Sequence, residues 1–203
     1  MENVKNVFLT ILRDKYTTRP AFRNAARTLS QILAQEAMAH IATESVAIET
    51  PMEKTTGIKL QPSITLIPIL RSGITMVEPF LDYFTDAKIG VVGLKRDEKT
   101  AQAHLYYNNI PLIDKNTKII ILDPMIATGG TGIETLKILK EKGIQEKDII
   151  FASIICSKDG IQKVQSQFPN ITIITAAVDE TLNQKKFIVP GLGDFGDRYF
   201  GTE

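Results

Sequence analysis

Ile119-Ile120-Ile121-Leu122-Asp123-Pro124-Met125-Ile126-Ala127-Thr128-Gly129-Gly130-Thr131 is the stretch on which the fold turns. Its four leading apolar residues do not alternate with polar ones, as a strand covered on both faces requires. A turn of small residues follows. Thr131 to Lys142 then carries Ile133, Leu136, Ile138 and Leu139, with a basic end and Gly143 as a stop, the pattern of a crossover helix. Beyond it Ile149-Ile150-Phe151-Ala152 repeats the unbroken apolar run. Strand, turn, helix and strand in that order predict two central parallel strands.

Working outward, short β-rich runs recur at Val46 to Ile48, Ile64 to Ile69, Ile89 to Leu94, Lys118 to Leu122, Ile149 to Ile155 and Ile171 to Val178. Segments of helix length separate them. Before them, Pro20 followed by Phe22, Ala25, Ala26, Leu29, Ile32, Leu33, Ala37 and Ile41 spaces apolar side chains by three and four, predicting a long amphipathic helix opened by proline. The expected fold class is α/β, a central and mostly parallel sheet flanked by helices. At 203 residues, 43% hydrophobic and 23% charged, the chain fits a single domain, 1–203, with a core that needs no staples. No internal repeat or linker interrupts it.

Twenty-four basic residues against 23 acidic ones leave a net charge of +1, so no overall field gathers nucleic acid or an anionic membrane, and neither is expected as a partner. Phosphate recognition must then be local. Cys156, the single cysteine, extends an apolar run and reads as a buried, inert thiol. Met1 to Leu12 shows neither a signal core nor a cleavage site, and no window approaches the ~20 apolar residues of a membrane helix, so a cytoplasmic location is expected.

The turn after Leu122 has the chemistry of an anion site. Gly129 and Gly130 let the backbone approach a ligand, and Thr128, Thr131 and the first free amides of the helix can donate to phosphate oxygens. Its place at the carboxyl end of a central strand is where open α/β sheets bind ligands. It lacks the lysine of a P-loop and the spacing of a dinucleotide fingerprint. Asp123 would repel a phosphate but suits sugar hydroxyls. The plain alternative is an ordinary strand-to-helix turn with an aspartate cap.

The hydrophobic run, Asp, then Thr-Gly-Gly-Thr resembles the phosphoribosyl pyrophosphate loop of type I phosphoribosyltransferases. Most of them have two adjacent acids there. Asp123-Pro124 is instead similar to the uracil phosphoribosyltransferase branch, whose loop commonly reads Asp-Pro-Met-Leu-Ala-Thr-Gly-Gly-Ser; Ile126 and Thr131 are mild substitutions in it. Two further segments, Pro68-Ile69-Leu70-Arg71-Ser72-Gly73 and Gly93-Leu94-Lys95-Arg96-Asp97-Glu98-Lys99-Thr100, match that branch, each with an arginine at the end of a predicted strand. Guanidinium groups can grip pyrophosphate oxygens in pairs and offset leaving-group charge. A solvated arginine is the alternative.

The C-terminal stretch from Val178 to Thr202 contains Ile188-Val189-Pro190-Gly191-Leu192-Gly193-Asp194-Phe195-Gly196-Asp197-Arg198. Four glycines between Gly191 and Gly201 predict a shaped loop rather than a helix or strand, able to meet a small planar heterocycle through its backbone. The branch has a similar segment closing over uracil, with alanine common where Phe195 stands and tyrosine common where Phe187 stands.

The resemblance, which runs from Thr18 to Thr202, implies a site residue by residue. Arg71, Arg96, Asp123, Pro124, Met125, Ile126, Ala127, Thr128, Gly129, Gly130, Thr131 and Asp194 would bind phosphoribosyl pyrophosphate. Ile188, Gly193, Asp194 and Phe195 would bind uracil, and Arg96, Asp123 and Asp194 would be catalytic. It implies transfer to uracil giving UMP, Mg²⁺ carried mainly on the donor pyrophosphate, a flap hairpin over Lys95 to Tyr107, a C-terminal base-binding hood, a homodimer or larger homo-oligomer, and GTP as an effector of some members. Transfer to another base, and a non-catalytic nucleotide-sensing or RNA-binding regulator, stay open as alternatives. His40 falls on the predicted long helix and His104 on the flap; neither is given a role. Ser157-Lys158-Asp159-Gly160 departs from the usual turn, with a bearing on packing rather than chemistry.

Overall fold

The computed structural model describes residues 2–96 and 103–202, apart from the side chains of Arg96 and Ala103. It opens on α1 (Glu2–Arg13), whose Lys5, Leu9 and Leu12 are buried, and α2 (Arg19–Met38), which begins at the Pro20 predicted to start it. Phe22, Ala25, Ala26, Leu29, Ile32, Leu33 and Ala37 all turn into the core. Sequence reading missed α1, although Leu9 and Leu12 already stand three apart. Lys5 pins it to α2 through Glu36 at 2.6 Å.

β1 (Thr43–Glu49) and β2 (Lys54–Leu60) pair antiparallel and form a sheet of their own, exposed along most of their length. The run Val46 to Ile48 therefore does not belong to the central sheet as expected. Both faces of this hairpin are open, so no core specifies which face is apolar, and Ile58 is 75% exposed.

The central sheet is made by β3 (Ser63–Leu70), β4 (Lys88–Ile89), β5 (Val91–Arg96), β6 (Ala103–Asn109), β7 (Thr117–Leu122), β8 (Met125–Ile126), β9 (Ile149–Ser157) and β10 (Thr172–Asp179). Its main path runs β10-β9-β7-β3-β5-β6, with β4 beside β3 and β8 beside β9. All pairs are parallel except β5 with β6, the hairpin that carries the expected flap. The flap's tip lies outside the described residues.

β9 is buried at all nine positions, which explains why its sequence does not alternate. Along β7, Ile120 and Leu122 join the core under α1 and α2, while Ile119 and Ile121 join the opposite core under α4 (Gly130–Glu141) and α5 (Lys158–Gln167). Two cores on opposite faces make a three-layer α/β/α domain. Fully burying a side chain such as Leu66 or Ile121 contributes roughly 1.5–3 kcal/mol, so most of the stability resides in these layers. A short turn (Ser72–Met76) and α3 (Val77–Leu81) follow β3.

Beyond β10, β11 (Thr181–Leu182) and β12 (Ile188–Val189) pair briefly, and α6 (Phe195–Phe200) ends the chain. The glycine-rich tail is thus not all loop. Gly196 lies inside α6 because a Cβ there would stand 2.8 Å from Ser72 Oγ, and Gly201 caps the helix at φ 75°. Density of glycine marked close packing rather than absence of helix. His40 sits in the turn just past α2, exposed, and not on the helix as expected.

Candidate active site

β7, β3 and β5 lie side by side and parallel, so their carboxyl ends share one edge of the sheet. Asp123 follows β7, Arg71 follows β3, and Arg96 closes β5. Neighbouring strands are ~4.8 Å apart, which brings three residues separated by 25 to 52 positions in sequence to one rim. The Arg96 side chain lies outside the described residues, as do Asp97 to Thr100.

The turn from Asp123 to Gly130 is stitched to its neighbours by backbone bonds. Asp123 N–H donates to Ala152 O at 3.2 Å, and Pro124 O accepts from Ile154 and Ile155 N–H, each at 3.0 Å. β8 pairs Met125 with Ile155 and Ile126 with Cys156. Gly129 is left-handed, φ 73°, where other residues are strained. Its outer face packs on Gly160, whose oxygen would stand 2.9 Å from a Cβ at Gly129. Ile133 N–H is the first amide to close onto the turn, at Gly129 O, so the amides of Gly130, Thr131 and Gly132 precede the intrahelical ladder, and no acid occupies the first turn of α4. These donors and the helix dipole suit an anion.

Ser157 also shapes this turn, which sequence reading did not anticipate. It caps α5, accepting from Gly160 N–H at 2.9 Å, and donates its own proton to Ala127 O. The departure at Ser157 to Gly160 thus reaches the turn after β7 through one hydroxyl. A serine just after an apolar run was the available signal.

Asp123 is half-buried at the strand end, and desolvation pushes its carboxyl up to about 7, against a smaller opposing effect of the Met125 N–H bond. Cys156 beside it is pushed up to about 11, first by burial, which fits the inert thiol expected.

Arg71 lies against the C-terminal helix. Its Nη2 donates to Thr202 Oγ1 at 3.1 Å and Asp197 Oδ1 at 3.4 Å, and its guanidinium stands 4.8 Å from the Phe200 ring centre. It is still half exposed. Asp194 caps α6 by accepting from Asp197 N–H at 2.9 Å, and stays exposed together with Gly193. Ile188 is buried, and the Phe195 ring packs inward at 5.3 Å from Phe22 and 5.7 Å from Tyr199. Only the backbone of Phe195 is left for a ligand, which makes its bulk compatible with a small-residue position. A separate cavity of about 220 Å³ beside α6 is lined by Lys15, Arg19, Asp197 and Arg198 and by no residue of the Asp123 turn.

The family described as uracil phosphoribosyltransferase matches residues 2–202. A uracil phosphoribosyltransferase of Limosilactobacillus fermentum is 40% identical over 196 residues, covering 96% of this chain and 93% of that protein. The solved AQ2163 protein of Aquifex aeolicus superposes with TM-score 0.90 at 30% identity, covering 98% of this chain and 95% of that one. An adenine phosphoribosyl transferase of Trypanosoma brucei, TM-score 0.55 at 12% identity over 80% of this chain and 68% of that chain, shares the fold. A match that spans both the Asp123 turn and the glycine-rich tail at nearly full length leaves one assignment: the chain belongs to the uracil phosphoribosyltransferase family.

Proposed function

We propose that the chain holds phosphoribosyl pyrophosphate on the Asp123 to Thr131 turn and uracil against Ile188, Gly193, Asp194 and Phe195, with bond exchange at the rim between them. The reaction is that of the family: uracil and 5-phospho-α-D-ribose 1-diphosphate give UMP and diphosphate. The observation that supports the residue assignment is the shared edge of β7, β3 and β5, whose carboxyl ends bring the backbones of Asp123, Arg71 and Arg96 to the rim near the start of α4.

The amides of Gly130, Thr131 and Gly132, with the hydroxyls of Thr128 and Thr131, receive the 5′-phosphate. Asp123 accepts from the ribose hydroxyls, fixing the sugar as C1′ gains oxocarbenium character. Arg71 exchanges its hold on Asp197 and Thr202 for the departing pyrophosphate, and Arg96 approaches the same group from β5. Asp123 and Asp194 are the carboxylates that would meet Mg²⁺ carried on the donor pyrophosphate. Bound there, Mg²⁺ would neutralise charge on the pyrophosphate. The β5–β6 hairpin covers the site and excludes water.

The protein works in the cytoplasm as a homodimer or larger homo-oligomer, and GTP is its candidate effector. No helix among the described residues is long and apolar enough to cross a membrane. Uracil-dependent release of pyrophosphate, measured with and without GTP and against cytosine, hypoxanthine and orotate, tests the assignment. Turnover with uracil alone is expected; equal turnover with another base would overturn it.

A further inference from the structure

Helix α1 contributes nothing to the rim described above, yet its last turn carries a bidentate ion pair to the far end of β10. Arg13 Nη1 donates to Asp179 Oδ2 at 2.8 Å and Nη2 donates to Oδ1 at 2.6 Å. The same Nη1 donates to Gly191 O at 2.7 Å, and Gly191 N–H donates to Asp179 Oδ2 at 2.8 Å. Both polar groups of Gly191 are therefore held, one by each member of the pair. Asp179 is 7% exposed in its side chain and Arg13 25%. Burial opposes ionisation of Asp179, but the bonds from Arg13 and Gly191 and the guanidinium charge outweigh it and hold the carboxyl below its ordinary range.

A second arginine grips the next peptide from the other side. Arg198 of α6 donates through Nη1 to Leu192 O at 2.6 Å and to Leu12 O, and through Nη2 to Asp14 O at 2.6 Å. It also lies 4.4 Å from the Phe22 ring centre. The carbonyls of Gly191 and Leu192 are thus both turned toward arginines that meet at the end of α1. In a trans peptide the N–H points opposite to its carbonyl. Leu192 N–H and Gly193 N–H must then point away from the arginines, and neither has an acceptor among the described residues. Gly191 at φ 60° and Gly193 at φ 81° allow this double turn, and a Cβ at Gly191 would stand 2.1 Å from Ile188 O.

We infer that Arg13 and Asp179 are positioning residues for base recognition, fixing the peptide planes of Gly191 to Gly193 so that the free amide of exposed Gly193 faces an acceptor oxygen of the pyrimidine. The inference rests on the proposed placement of uracil against this segment. Neither residue touches substrate. Their action is to keep a glycine-rich segment from sampling other peptide orientations, which lowers the ordering cost of binding the base and leaves the donor site alone.

The test is steady-state kinetics of the full chain with each substrate varied. Arg13→Ala is expected to raise KM for uracil about 10- to 100-fold, the range for loss of hydrogen bonds to a charged group, with KM for the donor within about twofold. Asp179→Asn, which keeps the shape and one acceptor, is expected to raise the uracil KM less, and Arg13→Lys to fall between wild type and Arg13→Ala. Millimolar guanidinium added to Arg13→Ala should recover part of the uracil KM. A uracil KM within twofold of wild type in all three variants overturns the inference, and so does a parallel rise of both KM values with a fall in thermal midpoint. Gly193→Ala separates the two layers. If it raises the uracil KM and Arg13→Ala does not, the positioning role fails while the base site stands; if it leaves the uracil KM unchanged, the base site itself is misplaced.

Discussion

Asp123 is the residue whose environment differs most from its ordinary one. With the carboxyl pushed up to about 7 by burial, it is a mixture of acid and carboxylate near neutrality before substrate arrives. The carboxylate accepts ribose hydroxyls at both oxygens through charge-assisted bonds, whereas the acid turns one oxygen into a donor and accepts more weakly. kcat/KM for the donor is therefore expected to rise as pH climbs through about 7, where the free enzyme loses that proton. Asp123→Asn should lower kcat by at least about 100-fold and flatten that limb. A pH series of initial rates for both proteins checks it; an unaltered limb in the variant would assign the titration elsewhere. Such a residue was visible in the sequence as an acid ending an apolar run. Its raised pKa was not, because desolvation depends on the neighbours that β9 and the turn supply.

Among elements, α4 shows how two glycines two positions apart can serve different ends. A Cβ at Gly132 would stand 2.4 Å from the Phe151 ring, in the middle of the fully buried β9, whereas a Cβ at Gly130 meets only Thr128 Oγ1 at 3.6 Å. Gly132→Ala is expected to cost about 1–3 kcal/mol by overpacking. Gly130→Ala, inside a helix, should hold or slightly raise stability while weakening donor binding where the backbone meets phosphate. Chemical denaturation and donor KM, measured on both, check the pair. The buried strands and α2 were legible because two covered faces, or one apolar stripe, write themselves into composition. β1 misled and β2 went unread because a hairpin exposed on both faces uses the same residue types without that constraint. α6 was hidden by Gly196 and Gly201, whose reasons are Ser72 and a left-handed cap rather than flexibility.

At the scale of the whole molecule, two displaced carboxyls pull stability in opposite directions with pH. Asp123, raised in the fold, contributes stability that is full below about 3.8 and is lost as pH rises through about 7. Asp179, lowered in the fold, contributes stability present above about 3.8 and lost as pH falls below it. The thermal midpoint of Asp123→Asn should therefore overtake that of wild type progressively between pH 4 and pH 8, the difference vanishing at the acid end. Calorimetry across that range checks it, and a constant difference would mean that Asp123 titrates normally. The rim of the sheet could be anticipated from local sequence, since each of its parts ends a readable strand. The pairing of Arg13 with Asp179 could not, because nothing in either neighbourhood states that positions 166 apart will meet.

That separation also bears on how the protein is made. Arg13 is synthesised well before Asp179, Gly191 and Arg198, the residues that complete its cluster. The sheet and its phosphate turn can consolidate while the chain is still growing. The segment proposed to read the pyrimidine cannot, for its fastening waits on Asp179, Gly191 and Arg198, all later in the sequence than the sheet's central strands. A nascent chain is thus expected to gain its grip on the sugar phosphate before it can tell one nucleobase from another.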